Sequence, residues 1–362
     1  MYSPKEAEIQ QRVFENIDSL LRVPDASFQA DETSQPGLDF SGTLSLRGNR
    51  IHTVGEVKAI GEPWAIRSAI HRLGEHRAQN PEYLPLLLSD FIGPQARALC
   101  KRYNIAYIDL AGNCYLEWSK VYIDKAREGA PSRMPKRAKS LFSDKASLVI
   151  RSVLDDPGRP LRVRELSREL GLSPAWVSQV LRQLISAGYA ARVGDGSVIS
   201  RPVDLLTDWA ESYRFERRND LRSFFCDAPN PQQVIGRVAS APTQRIGRYA
   251  LTLHAGASLV APFSEFHEVH IYIDSSALRD ETEHVWIEAL GLQPVETGGN
   301  VYLTWPYYKE GAFYGRRNIN GIWVASDIQL YIDLYNYPVR GREQAEHLMR
   351  NRLADLDTQR EL

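Results

Sequence analysis

The most restrictive stretch of the chain is VRELSRELGLSPAWVSQVLRQLISAGYAARVGDGSVIS, residues 163 to 200. Two helical periods are separated there by Gly171, Leu172 and Ser173 alone, so the connection must be a tight turn. Glycine stops a helix by adopting the left-handed conformation. Serine followed by proline restarts one, because the hydroxyl accepts from exposed N–H groups and proline lacks an N–H that would go unbonded. In the helix that follows, Val177, Val180, Leu181, Leu184 and Ile185 fall on one face and are expected inside. Ala175, Trp176, Ser178, Gln179, Arg182 and Gln183 are then left outside. Upstream, ASLVIRSVLDD predicts another helix, with Leu148, Ile150, Val153 and Leu154 available for burial. Downstream, strands over Ala190–Val193 and Ser197–Ser200 flank a Gly194-Asp195-Gly196 turn.

Helix, helix, tight turn, helix, hairpin is the order of a winged helix-turn-helix, whose third helix enters the major groove of double-stranded DNA. Ser173, Trp176, Ser178, Gln179 and Arg182 are the candidate groove-facing residues. Glutamine reads adenine and arginine reads guanine through paired hydrogen bonds. Arg162, Arg164, Arg168, Arg192 and Arg201 are candidate phosphate contacts, which set position and not sequence. Charge agrees. Between Arg133 and Val203 the balance is +7 in a chain of net charge −1, the distribution of a polyanion-binding segment. The alternative is a winged helix that docks only protein.

Around this module the chain divides into five expected segments: 1–124, a basic linker at 125–142, the winged helix at 143–202, a helical connector at 203–227, and an α+β region at 228–362. The linker KAREGAPSRMPKRAKS carries two prolines and six basic residues. In the first segment the pattern predicts a helix from Pro4 to Arg22, strands at Leu38–Leu46 and Ile51–Ala59 joined by Gly48-Asn49, and a helix opening at Pro63. A strand at Tyr83–Leu88, a helix at Pro94–Tyr103 and a strand at Ala106–Leu110 complete an α/β layer. If Gly48 and Asn49 are the central turn residues, Asp39 faces Lys58 and Ser41 faces Glu56. Asp39, Glu56 and Lys58 would then share a sheet face, where two carboxylates and a lysine can hold Mg²⁺ and activate water against a phosphodiester. An idle, ion-paired site is the alternative.

Other features are weaker. His267 and His270 fall on opposite faces of a strand. YIDLAGNCYLEW reads as strand, turn, strand, with Asp109 and Asn113 capping the turn. Tyr307, Tyr308, Phe313 and Tyr314 beside Arg316 and Arg317 would stack nucleotides or simply pack. Cys100, Cys114 and Cys226 are too few and too scattered for a disulfide framework, so buried thiols and a cytoplasmic location are expected. No apolar run is long enough for a membrane span, and the N-terminus lacks the apolar core of a signal peptide.

The order helix, hairpin with D…ExK, helix, strand, helix, strand resembles the PD-(D/E)XK restriction-endonuclease-like fold. That resemblance implies catalytic and metal-binding roles for Asp39 and Glu56, a catalytic Lys58, and a further ligand from Glu8 or Glu15. The phrases YALTLHAGAS, VASDIQLYIDL and RGREQAEHL, with YIDLAGN ahead of the winged helix, resemble AbiEi-type antitoxins of type IV abortive-infection toxin–antitoxin systems. This implies a bacterial transcriptional regulator that binds its own promoter and needs no cofactor for doing so. It also implies a homodimer as one possible state, and a nucleotidyltransferase-type toxin opposed without a stable complex. A winged helix in mid-chain departs from the simple antitoxins, where it is N-terminal. A Mg²⁺-dependent endonuclease targeted by the winged helix is the second reading.

Overall fold

The computed structural model describes residues 4–31, 37–59, 61, 63–126, 141–194, 196–274 and 279–356. Most of the expected basic linker therefore lies outside the described residues. The described chain forms two compact units, one up to residue 126 and the other from 141 onward, 186–188 excepted.

The first unit runs α1 (Pro4–Glu15), α2 (Ile17–Leu21), β1 (Ser27–Ala30), β2 (Phe40–Leu46), β3 (Asn49–Lys58) and α3 (Pro63–Gln79). It continues through β4 (Leu84–Ser89), α4 (Pro94–Arg102), β5 (Ala106–Asp109), β6 (Cys114–Trp118) and β7 (Val121–Lys125). The helix expected as one piece to Arg22 breaks at Asn16, whose side-chain amide donates to the Arg12 carbonyl at 2.8 Å. All seven strands form one sheet in sequence order. β3, β4 and β5 run parallel, while the strands on either flank are antiparallel. Ile9, Val13, Ile17 and Leu21 pack with Ile51 and Val57 on one face; Ile66, Leu73 and Leu99 pack with Leu87 and Tyr107 on the other. Residues of β3 alternate between these faces, so Glu56 points towards α3 and away from α1.

The expected hairpin register is corrected. Leu46 pairs with Asn49 and Phe40 with Gly55, so the turn residues are Arg47 and Gly48, both at positive φ (48° and 83°). Two left-handed residues in a row make a turn whose backbone twist matches the right-handed twist of the flanking strands. The register moves by two residues. Because side chains alternate with a period of two, every residue keeps its expected face.

The second unit begins with α5 (Asp144–Asp155), α6 (Val163–Leu170), α7 (Pro174–Ser186), β8 (Ala190–Val193) and β9 (Gly196–Ile199). Next come α8 (Pro202–Ser212), α9 (Phe215–Arg218), β10 (Asp220–Cys226), α10 (Pro231–Ser240), α11 (Thr243–Ile246), β11 (Tyr249–Thr252) and α12 (Leu253–Ser258). The last part holds β12 (Val269–Ile273), α13 (Arg279–Leu290), β13 (Leu292–Pro294), β14 (Val301–Trp305), β15 (Arg317–Ile319), β16 (Ile322–Val324), α14 (Asp327–Tyr335) and α15 (Gly341–Arg352). A mixed seven-stranded sheet, in the order β13-β10-β14-β12-β11-β16-β15, forms its centre.

The winged helix is anchored to this sheet domain by a buried cation. Arg151 on α5 is fully buried, its guanidinium 4.7 Å above the Trp209 ring and 5.4 Å from that of Tyr308. Its Nη2 donates to Gln329 Oε1, and Gln329 Nε2 donates to Asp333 Oδ1 at 2.6 Å. Burial in this low-dielectric core is the main reason that the Asp333 carboxyl is pushed up to about 7, against donors from Thr252, Tyr272 and Gln329. Leu148, expected inside, is half-buried; Arg151 takes the interior position on that helix. No described helix is long and apolar enough to cross a membrane. All three cysteines are buried, and burial pushes the Cys100 and Cys114 thiols up to about 12 and about 11.

Candidate nucleic-acid interface and the carboxylate cluster

The turn between α6 and α7 is built as its residues dictate. Gly171 has φ 64°, and the Leu172 N–H donates to the Ser167 carbonyl at 3.1 Å, closing α6. Ser173 Oγ accepts from the Trp176 N–H at 3.3 Å and Pro174 opens α7. Val177, Val180, Leu181 and Leu184 are buried, each contributing roughly 1.5–3 kcal/mol. Ile185, expected with them, is only half-buried. On the other side Ser173, Ala175, Gln179 and Arg182 are exposed, with Trp176, Ser178 and Gln183 half-buried. Arg182 Nε donates to the Ser178 carbonyl at 3.3 Å, which lays its guanidinium along the outer face.

The wing has a third strand-like member. Leu161 bridges Ser197, with N–H to carbonyl distances of 2.6 and 3.2 Å, so the hairpin β8–β9 is tied to the residue leading into α6. β9 begins at Gly196, one residue earlier than expected.

The five expected phosphate-contacting arginines divide into two groups. Arg164, Arg168 and Arg192 are exposed and make no ion pair among the described residues. Arg162 pairs with Glu165 at 3.3 Å, and Arg201 with Asp204 at 2.6 Å. The Arg162 pair is exposed, worth about 0–1 kcal/mol, and opens easily to a phosphate, whereas the Arg201 pair is half-buried.

In the first unit Asp39, Glu56 and Lys58 are brought together. The Asp39 N–H donates to the Gly55 carbonyl at 2.9 Å, so Asp39 continues β2 beside Glu56 and not opposite Lys58. Glu56 is 1 % exposed, and its two oxygens accept from Nε and Nη2 of Arg72, a fork-to-fork pair from α3. Lys58 Nζ sits 2.9 Å from Glu56 Oε2. Asp39 Oδ2 accepts from the Val57 N–H at 2.8 Å. Burial raises the Asp39 carboxyl above its usual range, more than the Val57 amide and Lys58 lower it. Glu8 and Glu15 do not join: Glu8 lies 3.6 Å from Arg12, Glu15 accepts from Gln11 at 2.8 Å, and α1 packs on the opposite sheet face. Among the described residues no group of three or more metal-ligating side chains is placed to hold an ion. The donors present therefore do not fit Mg²⁺ as they stand, because Glu56 has no oxygen without a cation against it. Sequence reasoning missed Arg72; nothing in its helix spacing separates it from Arg67 or Arg77.

Several of the remaining candidates make contacts inside the fold. Asp109 accepts from the Asn113 and Ile92 N–H groups, both at 2.8 Å, and fastens its turn. His270 is buried on β12. Tyr308 is buried, its hydroxyl accepting from Trp209 Nε1 at 2.8 Å and donating to the Phe142 carbonyl at 3.1 Å. Phe313 lies beneath Arg248 and Arg316.

Compared with known proteins, residues 144–192 match the family model "Bacterial regulatory protein, arsR family". That match spans α5 to β8 and supports a helix-turn-helix of the DNA-binding, regulatory kind. Among solved structures, EndoMS in its apo form is similar at 18 % identity and a TM-score of 0.23, over 30 % of this chain and 47 % of that one. The alignment thus spans under half of that protein, and at this TM-score it carries no argument about fold. No curated protein matches the chain.

Proposed function

We propose that the protein is a sequence-specific DNA-binding transcriptional regulator, an antitoxin-type repressor acting on its own promoter. Trp176, Ser178, Gln179 and Arg182 read bases, while Arg164, Arg168 and Arg192 contact phosphates, joined by Arg162 and Arg201 once they leave their carboxylates. The observation that carries this reading is the outer face of α7: Gln179 and Arg182 stand exposed on a helix whose inner face is packed and whose N-terminus is capped. The arsR-family match over the same segment supports it. The antitoxin setting rests on the resemblance of the C-terminal phrases, and with it a nucleotidyltransferase-type toxin as the opposed activity.

The test is a gel shift on DNA upstream of the protein's own gene, run in Mg²⁺ and in EDTA. A salt-sensitive shift of intact DNA is expected in both buffers. The double variant Gln179→Ala, Arg182→Ala should fall to non-specific affinity, since each paired base contact is worth about 1–3 kcal/mol. Unchanged affinity of that variant for the shifted site would overturn the assignment. Loss of full-length DNA in Mg²⁺ alone would favour an endonuclease targeted by the winged helix.

A further inference from the structure

The cluster at the end of β3 is a balanced set of charges. Asp39 and Glu56 supply two carboxylates and Lys58 and Arg72 two cations; each cation acts on both carboxylates, and Glu6 adds a more remote negative charge at Asp39. Arg72 holds both oxygens of Glu56 through two N–H groups, and the guanidinium plane matches the carboxylate plane as a single ion would not. A guanidinium stays protonated at any pH a protein tolerates, so no change of pH releases it. A hard divalent cation needs carboxylate oxygens that face it without a competing donor. Here it would have to displace a two-point ion pair from an almost fully buried glutamate, beside a lysine that is itself 2.9 Å from the same group.

We infer that Arg72 is the resident cation of this site: it occupies the place of a divalent ion against Glu56 and closes the carboxylate pair to metal. The sheet of the first unit is then a sealed scaffold, and the closure is the work of one side chain. Arg72 is a suitable single cause. Its side chain is 44 % exposed, so it supports Glu56 without being part of the apolar core. Removing it leaves two carboxylates against one lysine and frees Glu56 Oε1 from the Arg72 Nε that donates to it.

The full-length protein, without DNA, is titrated with Mn²⁺, and the unbound ion is followed by electron paramagnetic resonance. Wild type is expected to leave Mn²⁺ unbound at this site, with an unfolding temperature insensitive to the ion. Arg72→Ala is expected to bind one Mn²⁺ at least tenfold more tightly than wild type, and to unfold at a higher temperature when Mn²⁺ is present. Arg72→Ala combined with Glu56→Gln should lose both effects. If Arg72→Ala does not fold, Arg72→Gln is measured in its place, because it keeps the bulk of the side chain and removes the charge. The inference is overturned if wild type binds an ion that Glu56→Gln abolishes, or if the folded Arg72 variant binds none. The readout involves no DNA, so a failed gel shift leaves it untouched, and its failure leaves the regulator reading intact.

Discussion

The winged helix and the carboxylate cluster both begin as short motifs of charged and polar residues, and the fold treats them in opposite ways. On α7 the apolar positions are consumed by the core, and the polar ones, Gln179 and Arg182, are left exposed. On β3 the polar positions are turned onto each other: Glu56 meets Arg72 and Lys58, and Asp39 meets a backbone amide. A residue that binds a partner must be stable without its bonds satisfied inside the protein. A buried charge must have them satisfied, or its desolvation is uncompensated. By that criterion the outer face of α7 is open to a partner, as proposed, and the β3 cluster is an internal ion-pair network.

Among substitutions that break an ion pair, the largest effect on stability should follow Glu56→Gln. It leaves Lys58, only 15 % exposed, and Arg72 without their common partner. Breaking a fully buried pair costs about 3–5 kcal/mol. With Arg72 able to turn to solvent, the expected loss is nearer about 2 kcal/mol, read from urea unfolding. Gln179→Ala should change stability by less than about 0.5 kcal/mol, as exposed positions do. Similar losses for the two variants would break the contrast between network and interface.

A second effect separates the winged helix from its anchor. The Asp333 carboxyl is about 7 in the folded protein, above its usual range near 4 when unfolded. Between these values the folded state holds a proton that the unfolded state has lost, so stability falls as pH rises from about 4 to about 7. Asp333→Asn should remove that slope while leaving the part due to other groups. The size of this effect is bounded by about 1.4 kcal/mol per unit of pH. Thermal unfolding of both proteins across this range checks it, and parallel slopes would mean that Asp333 is ionised in the core.

The local plan of the winged helix was legible because each of its boundaries has its own chemistry: glycine to stop, serine and proline to restart, a spacing of three and four to bury. What stayed hidden depends on residues distant in sequence. Arg151 sits in an apolar helix pattern as though on its surface, yet it is lodged between Trp209 and Tyr308, and only the assembled sheet domain shows why. The role of Leu161 in the wing likewise needs its partner Ser197. In the first unit the sequence located the sheet face of Glu56 and Lys58, although the turn is Arg47-Gly48 and not Gly48-Asn49. Period two protected the face assignment from the register error; nothing comparable could reveal Arg72, which reaches Glu56 from a separate helix across 16 residues. The edge strands β1 and β7 are not among the expected elements; each is only four or five residues long, too short for a period to stand out.

The smallest predicted effects subdivide the interface itself. An arginine that contacts one phosphate releases about one counterion, so its loss lowers affinity on every DNA sequence and reduces the salt slope by about 1. Arg164→Ala, Arg168→Ala and Arg192→Ala should each behave in this way, because none gives up an ion pair among the described residues to reach DNA. Arg162 must first leave Glu165, and Arg201 must leave Asp204. Part of what those two gain from a phosphate is offset, and a released carboxylate stays close to the DNA backbone. Arg162→Ala should therefore weaken binding less than Arg168→Ala, and Glu165→Ala should strengthen it slightly by freeing the guanidinium. Gel-shift affinities over a salt series distinguish these cases. If Arg162→Ala and Arg168→Ala lose affinity equally, the Glu165 pair does not hold Arg162 back, and the face of contact extends across α6 without a break.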